Sequence, residues 1–203
     1  MTEPVEIAEV TSPIGTFRIA YQGSVVHVVD LIEAGHPPKA MPEGALLRKS
    51  PFPAGSPPRQ LQEYFRGTRT AFEVDVAPFS DSEFDQKVWS VLRSVSAGHT
   101  TTYGALAREA GFRGSARAVG GSMHRNPIPI VIPCHRVVGH GGEITGFGLG
   151  LWRKKWLLEH EGAWPLKSRS AEGPRPGGQQ TLDEALRPPR RSRSRQATTA
   201  RSN

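Results

Sequence analysis

Short runs of β-forming residues in the first part of the chain predict strands. Thr16 to Tyr21 and Val25 to Leu31 are separated by a Gly-Ser pair, a pattern typical of a β-hairpin. A proline-rich stretch follows, and then three apolar positions predict a short helix: Leu61, Tyr64 and Phe65. Phe72 to Val76 is again typical of a strand. We therefore expect a small α+β domain over residues 1–78, without an evident catalytic cluster.

After residue 78 the spacing of the apolar residues becomes that of helices. Apolar residues recur every four positions on one predicted helix face: Phe84, Val88 and Leu92. Ser82 is placed to cap the N-terminus of that helix. Trp152 to His160 predicts a last helix, which stops before Gly162. These patterns indicate a second, mostly helical domain over residues 79–164.

Two shorter helices are predicted in the middle of this second domain. Thr102 can cap the first of them, and Gly111 can end it. Gly114 and Ser115 then open the second, which runs to about His124. Two short helices joined by a turn that contains glycine resemble a helix-turn-helix, although many helix pairs of this kind only pack against each other.

Charge is distributed unevenly along the 203 residues, whose formal net charge is +7. Residues 165–203 hold nine Lys or Arg against three Asp or Glu, and residues 101–155 hold eight against two. The second bias suits a nucleic-acid partner, although from charge alone an ordinary solvated surface is the simpler explanation. Residues 165–203 also carry Pro, Gly, Ser and Arg with few large apolar residues, so we expect a disordered basic tail.

A single cysteine excludes an intramolecular disulfide and a cysteine-rich zinc site. The N-terminus lacks a basic start followed by an apolar core, so no secretory signal is evident. The longest apolar stretch, Ile128 to Cys134, is far too short to cross a bilayer. We expect a soluble protein without a membrane partner that is intracellular, in the cytoplasm or in the nucleus of a eukaryote.

The lone cysteine, Cys134, follows that apolar stretch and immediately precedes His135. A thiol with its usual pKa of about 8.5 is mostly protonated at neutral pH and needs a base or positive charge to act as a nucleophile. His135 is the nearest candidate base, and Arg136 adds local positive charge. A buried structural cysteine remains the alternative at this point.

The residues around Cys134 resemble the active-site signature of the O6-alkylguanine-DNA alkyltransferases, also called methylated-DNA–protein-cysteine methyltransferases. Residues 133–137 read PCHRV, and the resemblance covers about residues 82–162. Further matching segments are Thr102-Tyr103-Gly104, Ala116 to Gly121, Asn126-Pro127, Trp156 to Leu158 and His160 to Gly162. Thr11 to Gly15 fits the family's N-terminal domain less specifically. The resemblance implies a ribonuclease H-like fold for that small α/β domain.

The resemblance also implies catalytic roles for five residues. Cys134 would take the alkyl group from guanine O6, and Glu161 would orient His135, which draws the thiol proton through a water molecule. Tyr103 would donate its proton toward guanine N3. Asn126 would brace the turn that holds the active-site segment. The product is a stable thioether, so the protein would act once per molecule.

DNA contacts are implied for the second helix of the predicted helix-turn-helix and its surroundings. Arg117 would enter the base stack and replace the flipped nucleotide. Gly120 and Gly121 are poor helix formers, and their presence makes sense if the backbone approaches DNA closely. Other expected DNA contacts are Gly104, Ser115, Ala116 and His140. The expected partner is double-stranded DNA carrying alkylated guanine, bound by a monomer.

The substrate pocket is implied for the loop Gly146-Phe147-Gly148. Phe147 and Met123 would pack on the flipped base, and the backbone carbonyls of Cys134 and Val137 would bind its amino group. Relatives often have Tyr-Ser in this loop where this chain has Phe147-Gly148, so the preferred size of the alkyl group stays open. We expect neither a metal nor a cofactor, and O4-alkylthymine as a further substrate.

Three other functions remain as alternatives to alkyl transfer. A cysteine hydrolase built on Cys134 and His135 would turn over and need an oxyanion hole. A non-catalytic sensor of alkylguanine would lack the nucleophilic cysteine that this chain has. A DNA-binding regulator would place base-reading side chains on its recognition helix, where this chain has mainly small residues: Ala116, Ala118, Gly120 and Gly121.

Overall fold

The computed structural model describes residues 3–33, 39–78, 80 and 82–164. The predicted hairpin is confirmed as β2 (Gly15–Gln22) and β3 (Val25–Ile32), which pair in antiparallel register with Gln22 opposite Val25. A strand that the sequence analysis missed, β1 (Glu6–Ser12), pairs antiparallel with β2. Ala8 and Val10 of β1 are fully buried, whereas Glu9 and Thr11 are exposed, so this strand faces the core with one side.

Two short strands complete a five-stranded mixed sheet. β4 (Leu46–Arg48) runs parallel to β1, and β5 (Asp75–Val76) runs parallel to β3, giving the order β4-β1-β2-β3-β5. β4 lies in the proline-rich stretch and was not predicted. The strand predicted from Phe72 to Val76 is reduced to its last two residues.

Helix α1 (Pro57–Phe65) packs against this sheet and is the short helix predicted from Leu61, Tyr64 and Phe65. It begins inside the proline-rich stretch because Pro57 and Pro58 occupy its first turn, where no backbone N–H is needed. Leu61 and Tyr64 are almost fully buried.

Four further helices follow, close to their predicted limits: α2 (Glu83–Arg93), α3 (Tyr103–Glu109), α4 (Ala116–Arg125) and α5 (Leu151–His160). Two predicted caps are confirmed. Ser82 Oγ accepts the backbone N–H of Asp85 at 3.3 Å, and Thr102 Oγ1 accepts that of Ala105 at 3.1 Å. Ser115 makes no such bond at the start of α4. None of the helices in the described ranges is long and apolar enough to span a bilayer.

One large apolar cluster joins the sheet to the helices. It contains Phe17 and Val29 of the sheet together with Leu106 and Val119 of α3 and α4, and it includes Cys134. The predicted domain boundary near residue 78, the ribonuclease H-like interpretation and the helix-turn-helix interpretation of α3 and α4 stay predictions. The predicted disordered tail, residues 165–203, lies outside the described residues.

Candidate active site

Cys134 is held at the end of a buried loop that leaves helix α4. Ile128, Ile130 and Ile132 of this loop are each at most 1% exposed, so the apolar run is anchored in the core. The loop closes on itself through a bond from Ile132 N–H to the carbonyl of Ile128 at 2.9 Å. Ile130 has a φ of 76°, a strained conformation for a β-branched residue. A 3₁₀ turn, Cys134–Arg136, then presents the thiol.

Asn126 ties this loop to the cysteine. Its side-chain Nδ2 donates to the carbonyl of Ile132 at 2.9 Å and to Cys134 Sγ at 3.1 Å, while its Oδ1 accepts the backbone N–H of Ile128 at 3.0 Å. Asn126 therefore uses both ends of its amide to fix the two sides of the loop. The contact to sulfur favours the thiolate, because a donor stabilises the charged form.

His135, which follows Cys134 in the chain, forms a buried pair with Glu161. His135 Nε2 lies 2.9 Å from Glu161 Oε1, and His135 is fully buried. Since the ionised carboxylate can only accept, Nε2 carries the proton and Nδ1 is the free base. Within the described part of the chain, Nδ1 is buried and has no hydrogen-bond partner. The imidazole thus has an acceptor nitrogen available to take a proton.

Arg136 directs its guanidinium to Glu161. Its Nε donates to Glu161 Oε2 at 2.9 Å and its Nη2 to Glu161 Oε1 at 2.7 Å, a two-pronged ion pair. Burial would raise the pKa of Glu161, but the charges and hydrogen bonds of His135 and Arg136 hold it well below its usual range. Glu161 is therefore a carboxylate throughout the physiological range.

Cys134 and His135 rest as a thiol and a neutral imidazole. Burial raises the pKa of Cys134, although the bond from Asn126 and the charges of Lys154 and Lys39 act in the opposite direction. Burial also lowers the pKa of His135, although Glu161 opposes this. The resting pair is uncharged, and its base is deprotonated and ready to accept a proton.

Tyr103 reaches this site because two short strands pair across the fold. β6 (Thr101–Thr102) precedes α3, and β7 (Val137–Val138) follows the turn with Cys134; the two strands pair in parallel. The Tyr103 hydroxyl donates to the carbonyls of Thr145 and Gly146 at 3.3 and 3.4 Å. Burial raises the pKa of Tyr103, so it remains a proton donor at neutral pH.

The predicted pocket residues differ in burial. Phe147 and Met123 pack against the core, whereas Gly146 and Gly148 are exposed. A Cβ on Gly146 would lie 3.1 Å from the Tyr103 hydroxyl, and its φ of 49° also favours glycine. The carbonyl of Cys134 accepts the N–H of Val137, so the predicted amino-group acceptor already has one partner.

The predicted DNA-binding residues lie mainly on helix α4 and its entrance. Arg117 is exposed and makes no hydrogen bond or ion pair with the described residues. A Cβ on Gly120 would meet open space, whereas one on Gly121 would lie 3.2 Å from Arg125 Nη1. The remaining predicted residues are accessible to different degrees: Gly104 and His140 are exposed, and Ser115 and Ala116 are half-buried. The opposite end of α4 is fastened to α2, since Arg125 makes a two-pronged ion pair with buried Asp85.

Two lysines near Cys134 were not predicted from the sequence. Lys154 of α5 is fully buried and donates to the carbonyls of Val137, Thr145 and Gly146. Lys39 donates to the carbonyls of Val29, Asn126 and Pro127 at 3.0, 3.3 and 3.2 Å. Burial lowers the pKa of Lys154 to about 8. No sequence pattern indicates either position, because lysines are almost never fully buried.

A third residue that the sequence analysis placed only in a helix also reaches the site. The Tyr64 hydroxyl, from α1, donates to Glu161 Oε1 at 2.7 Å.

Comparison with known proteins gives concordant results. A family model described as 6-O-methylguanine DNA methyltransferase, DNA binding domain, matches residues 83–163. A methylated-DNA–protein-cysteine methyltransferase of Mycobacterium leprae is 39% identical over 150 residues, covering 74% of this chain and 88% of the relative.

Solved structures agree with the sequence relatives. The crystal structure of the Mycobacterium tuberculosis O6-methylguanine methyltransferase superposes with a TM-score of 0.66 at 35% identity, covering 78% of this chain and 93% of the other. A structure of the M. tuberculosis protein in complex with DNA gives the same TM-score and coverage at 34% identity. This chain therefore belongs to the methylated-DNA–protein-cysteine methyltransferase family.

Proposed function

We propose that the protein repairs DNA by transferring an alkyl group from O6-alkylguanine to Cys134. One observation carries the proposal: the only cysteine of a member of this family lies at the centre of a buried network of Asn126, His135 and Glu161. A structural cysteine would not require a hydrogen-bond donor on its sulfur or a neutral buried imidazole beside it in the chain. The reaction requires no metal or cofactor.

Proton removal from the thiol is the first step. His135 Nδ1 accepts the proton through a water molecule, while Nε2–H keeps its bond to Glu161. The resulting imidazolium is stabilised by the carboxylate, and the thiolate by Asn126, Lys154 and Lys39. The charge separation therefore arises between groups that are already in position to receive it.

Alkyl transfer is a displacement at the alkyl carbon. A bond forms from Cys134 Sγ to this carbon as its bond to guanine O6 breaks, and the bonding electrons pass to the guanine. Tyr103 donates its proton toward guanine N3 as negative charge develops. To do so it must exchange the carbonyls of Thr145 and Gly146 for the base. The carbonyls of Cys134 and Val137 accept from the guanine amino group, and Met123, Phe147 and Gly148 line the pocket.

Double-stranded DNA is the proposed partner, with helix α4 against the flipped nucleotide. Arg117 has the exposure needed to enter the base stack, and Gly120 leaves room for the close approach of the duplex. Ser115, Ala116, Gly121, Gly104 and His140 form the surrounding contact surface. The protein acts as a monomer and once per molecule, and it accepts O4-alkylthymine as a further substrate.

Intact-mass spectrometry tests this proposal. Incubation with a duplex oligonucleotide carrying O6-methylguanine should add one methyl group to Cys134 in a one-to-one reaction. The Cys134→Ala variant should gain nothing. Repeated turnover of excess duplex would indicate a hydrolase instead, and tight binding of the lesion without any mass gain would indicate a sensor.

A further inference from the structure

Tyr64 connects the N-terminal part of the chain to the catalytic carboxylate. It lies on α1, 97 positions before Glu161, and is 1% exposed. Its hydroxyl donates to Glu161 Oε1 at 2.7 Å. The ring is held by close contacts with Phe72 and His160, whose centroids lie 5.4 and 5.3 Å away. A buried ring fixed in this way directs its hydroxyl at one acceptor only.

Glu161 Oε1 is shared among three donors. His135 Nε2 lies at 2.9 Å, Arg136 Nη2 at 2.7 Å and the Tyr64 hydroxyl at 2.7 Å. A carboxylate oxygen that accepts several hydrogen bonds has its negative charge spread over all of them and is a weaker base. Tyr64 therefore competes with His135 for the same lone pairs.

We infer that Tyr64 is a positioning residue for alkyl transfer. Its hydroxyl orients Glu161 and reduces the stabilisation that this carboxylate gives to protonated His135. The imidazole therefore stays neutral until the thiol delivers its proton. The inference rests on the proposed function. Without this competition, the carboxylate would stabilise the imidazolium more strongly, and His135 would hold a proton at a higher pH. An imidazole that is already protonated cannot accept the proton of Cys134.

Tyr64 is not itself a proton relay. Burial, together with the negative charge of Glu161, raises its pKa well above the usual value, so it remains a donor at every pH at which the protein works. The other charged or titratable groups that face this pair are Arg136 on the 3₁₀ turn, Lys154 and His160 on α5, and Arg93 of α2 in the wall of a cavity of about 360 Å³ beside Glu161.

The Tyr64→Phe variant isolates the hydroxyl, because it keeps the ring and its packing. The matched control is Tyr21→Phe, which removes a buried hydroxyl from the sheet. The first measurement is the titration of the His135 imidazole by NMR, which needs no substrate. We expect Tyr64→Phe to raise the titration midpoint by about one pH unit. Tyr21→Phe should leave it unchanged.

The second measurement is the pH dependence of Cys134 alkylation by free O6-benzylguanine. In Tyr64→Phe the acid limb of the rate profile should move to higher pH by a similar amount. A uniform loss of rate with an unmoved midpoint, or an unchanged His135 titration, would overturn the inference in favour of a packing role. Absence of alkylation in the unmodified protein would instead reject the proposed function and leave the NMR test of Tyr64 intact.

Discussion

At the residue scale, the reactivity of Cys134 is a balance between burial and nearby donors. Burial raises the pKa of the thiol, while Asn126 and two lysines lower it. Lys154 is the more unusual of these lysines, because it is fully buried and its Nζ is surrounded by carbonyl oxygens. The carbonyls hold the ammonium group where its charge acts on the sulfur.

Lys154→Met should therefore reduce the thiolate fraction of Cys134 at neutral pH. We expect a reduction of about tenfold, which corresponds to an interaction of about one pKa unit. Because the pKa of Lys154 is about 8, the ammonium supports the thiolate below that pH and loses its effect as the pH rises through it. The difference between the two proteins should accordingly narrow at alkaline pH.

Thiolate absorbance in the ultraviolet measures this titration, with the Cys134→Ala protein as the blank. The neighbouring lysine provides the control: Lys155→Met removes an equal charge that is exposed and paired with Glu159. Identical titrations of Cys134 in Lys154→Met and Lys155→Met would show that the buried charge does not reach the thiol.

At the scale of elements, the two ends of helix α4 differ in how they are held. Its last residue, Arg125, is clamped to Asp85 of α2, and the Asn126 loop follows directly. Its first turn carries Arg117 and is free at the surface. The clamp fixes the orientation of the helix relative to Cys134, so Arg117 has a defined position for the proposed contact with DNA.

Arg117→Ala should slow repair of O6-methylguanine in duplex DNA while leaving Cys134 reactive. Free O6-benzylguanine needs no extrusion from a base stack, so its reaction should change much less. Single-turnover kinetics with each substrate measure the two rates. Arg66→Ala, which removes an exposed arginine at the end of α1, controls for charge alone. Equal losses on both substrates would mean that Arg117 supports the pocket instead.

The helices could be predicted because their signals are local. Ser82 and Thr102 stand directly before apolar residues at helical spacing, and both act as caps in the structure. Strands β4, β6 and β7 could not be predicted, because each has two or three residues and owes its existence to a partner distant in sequence. β1 was missed because four of its seven residues are polar and only Ala8 and Val10 are buried.

The candidate site likewise combines residues with local sequence signals and residues that only the fold brings together. The resemblance identified the residues near Cys134 and the pair with Glu161, because these lie in short recognisable segments. Tyr64, Lys39 and Lys154 could not be found in this way, since only folding brings them to the site. Arg136 was assigned to the thiol on proximity along the chain, but the ion pair with Glu161 is the stronger interaction.

At the scale of the whole molecule, hydrogen bonds connect the sheet to the loop that carries Cys134. The carbonyl of Pro127 accepts the N–H of Val29 at 3.0 Å and also the ammonium of Lys39, which binds the carbonyl of Asn126 as well. Arg153 of α5 donates to the carbonyl of Ile14 at 2.8 Å and so connects the same sheet to the last helix. The N-terminal part of the chain therefore holds the loop on which Cys134 depends.

Lys39→Met should weaken this connection between the sheet and the loop. Loss of the ammonium removes its hydrogen bonds to three carbonyls, and we expect a loss of about 2 kcal/mol in the free energy of unfolding. Hydrogen exchange of the Val29 amide should accelerate, because its acceptor is the loop itself. Chemical denaturation and exchange measure the two effects, and the exposed Lys49→Met serves as control. Unchanged exchange at Val29 would show that Lys39 does not hold the loop.

The burial of Cys134 has a consequence for the lifetime of the protein before it meets damage. The thiol is only 6% exposed and rests in its protonated form, the state least susceptible to oxidants and stray electrophiles. A protein that reacts once would be lost to any such encounter. A buried and protonated sulfur therefore preserves the single reaction for the alkylated base that we propose as the substrate.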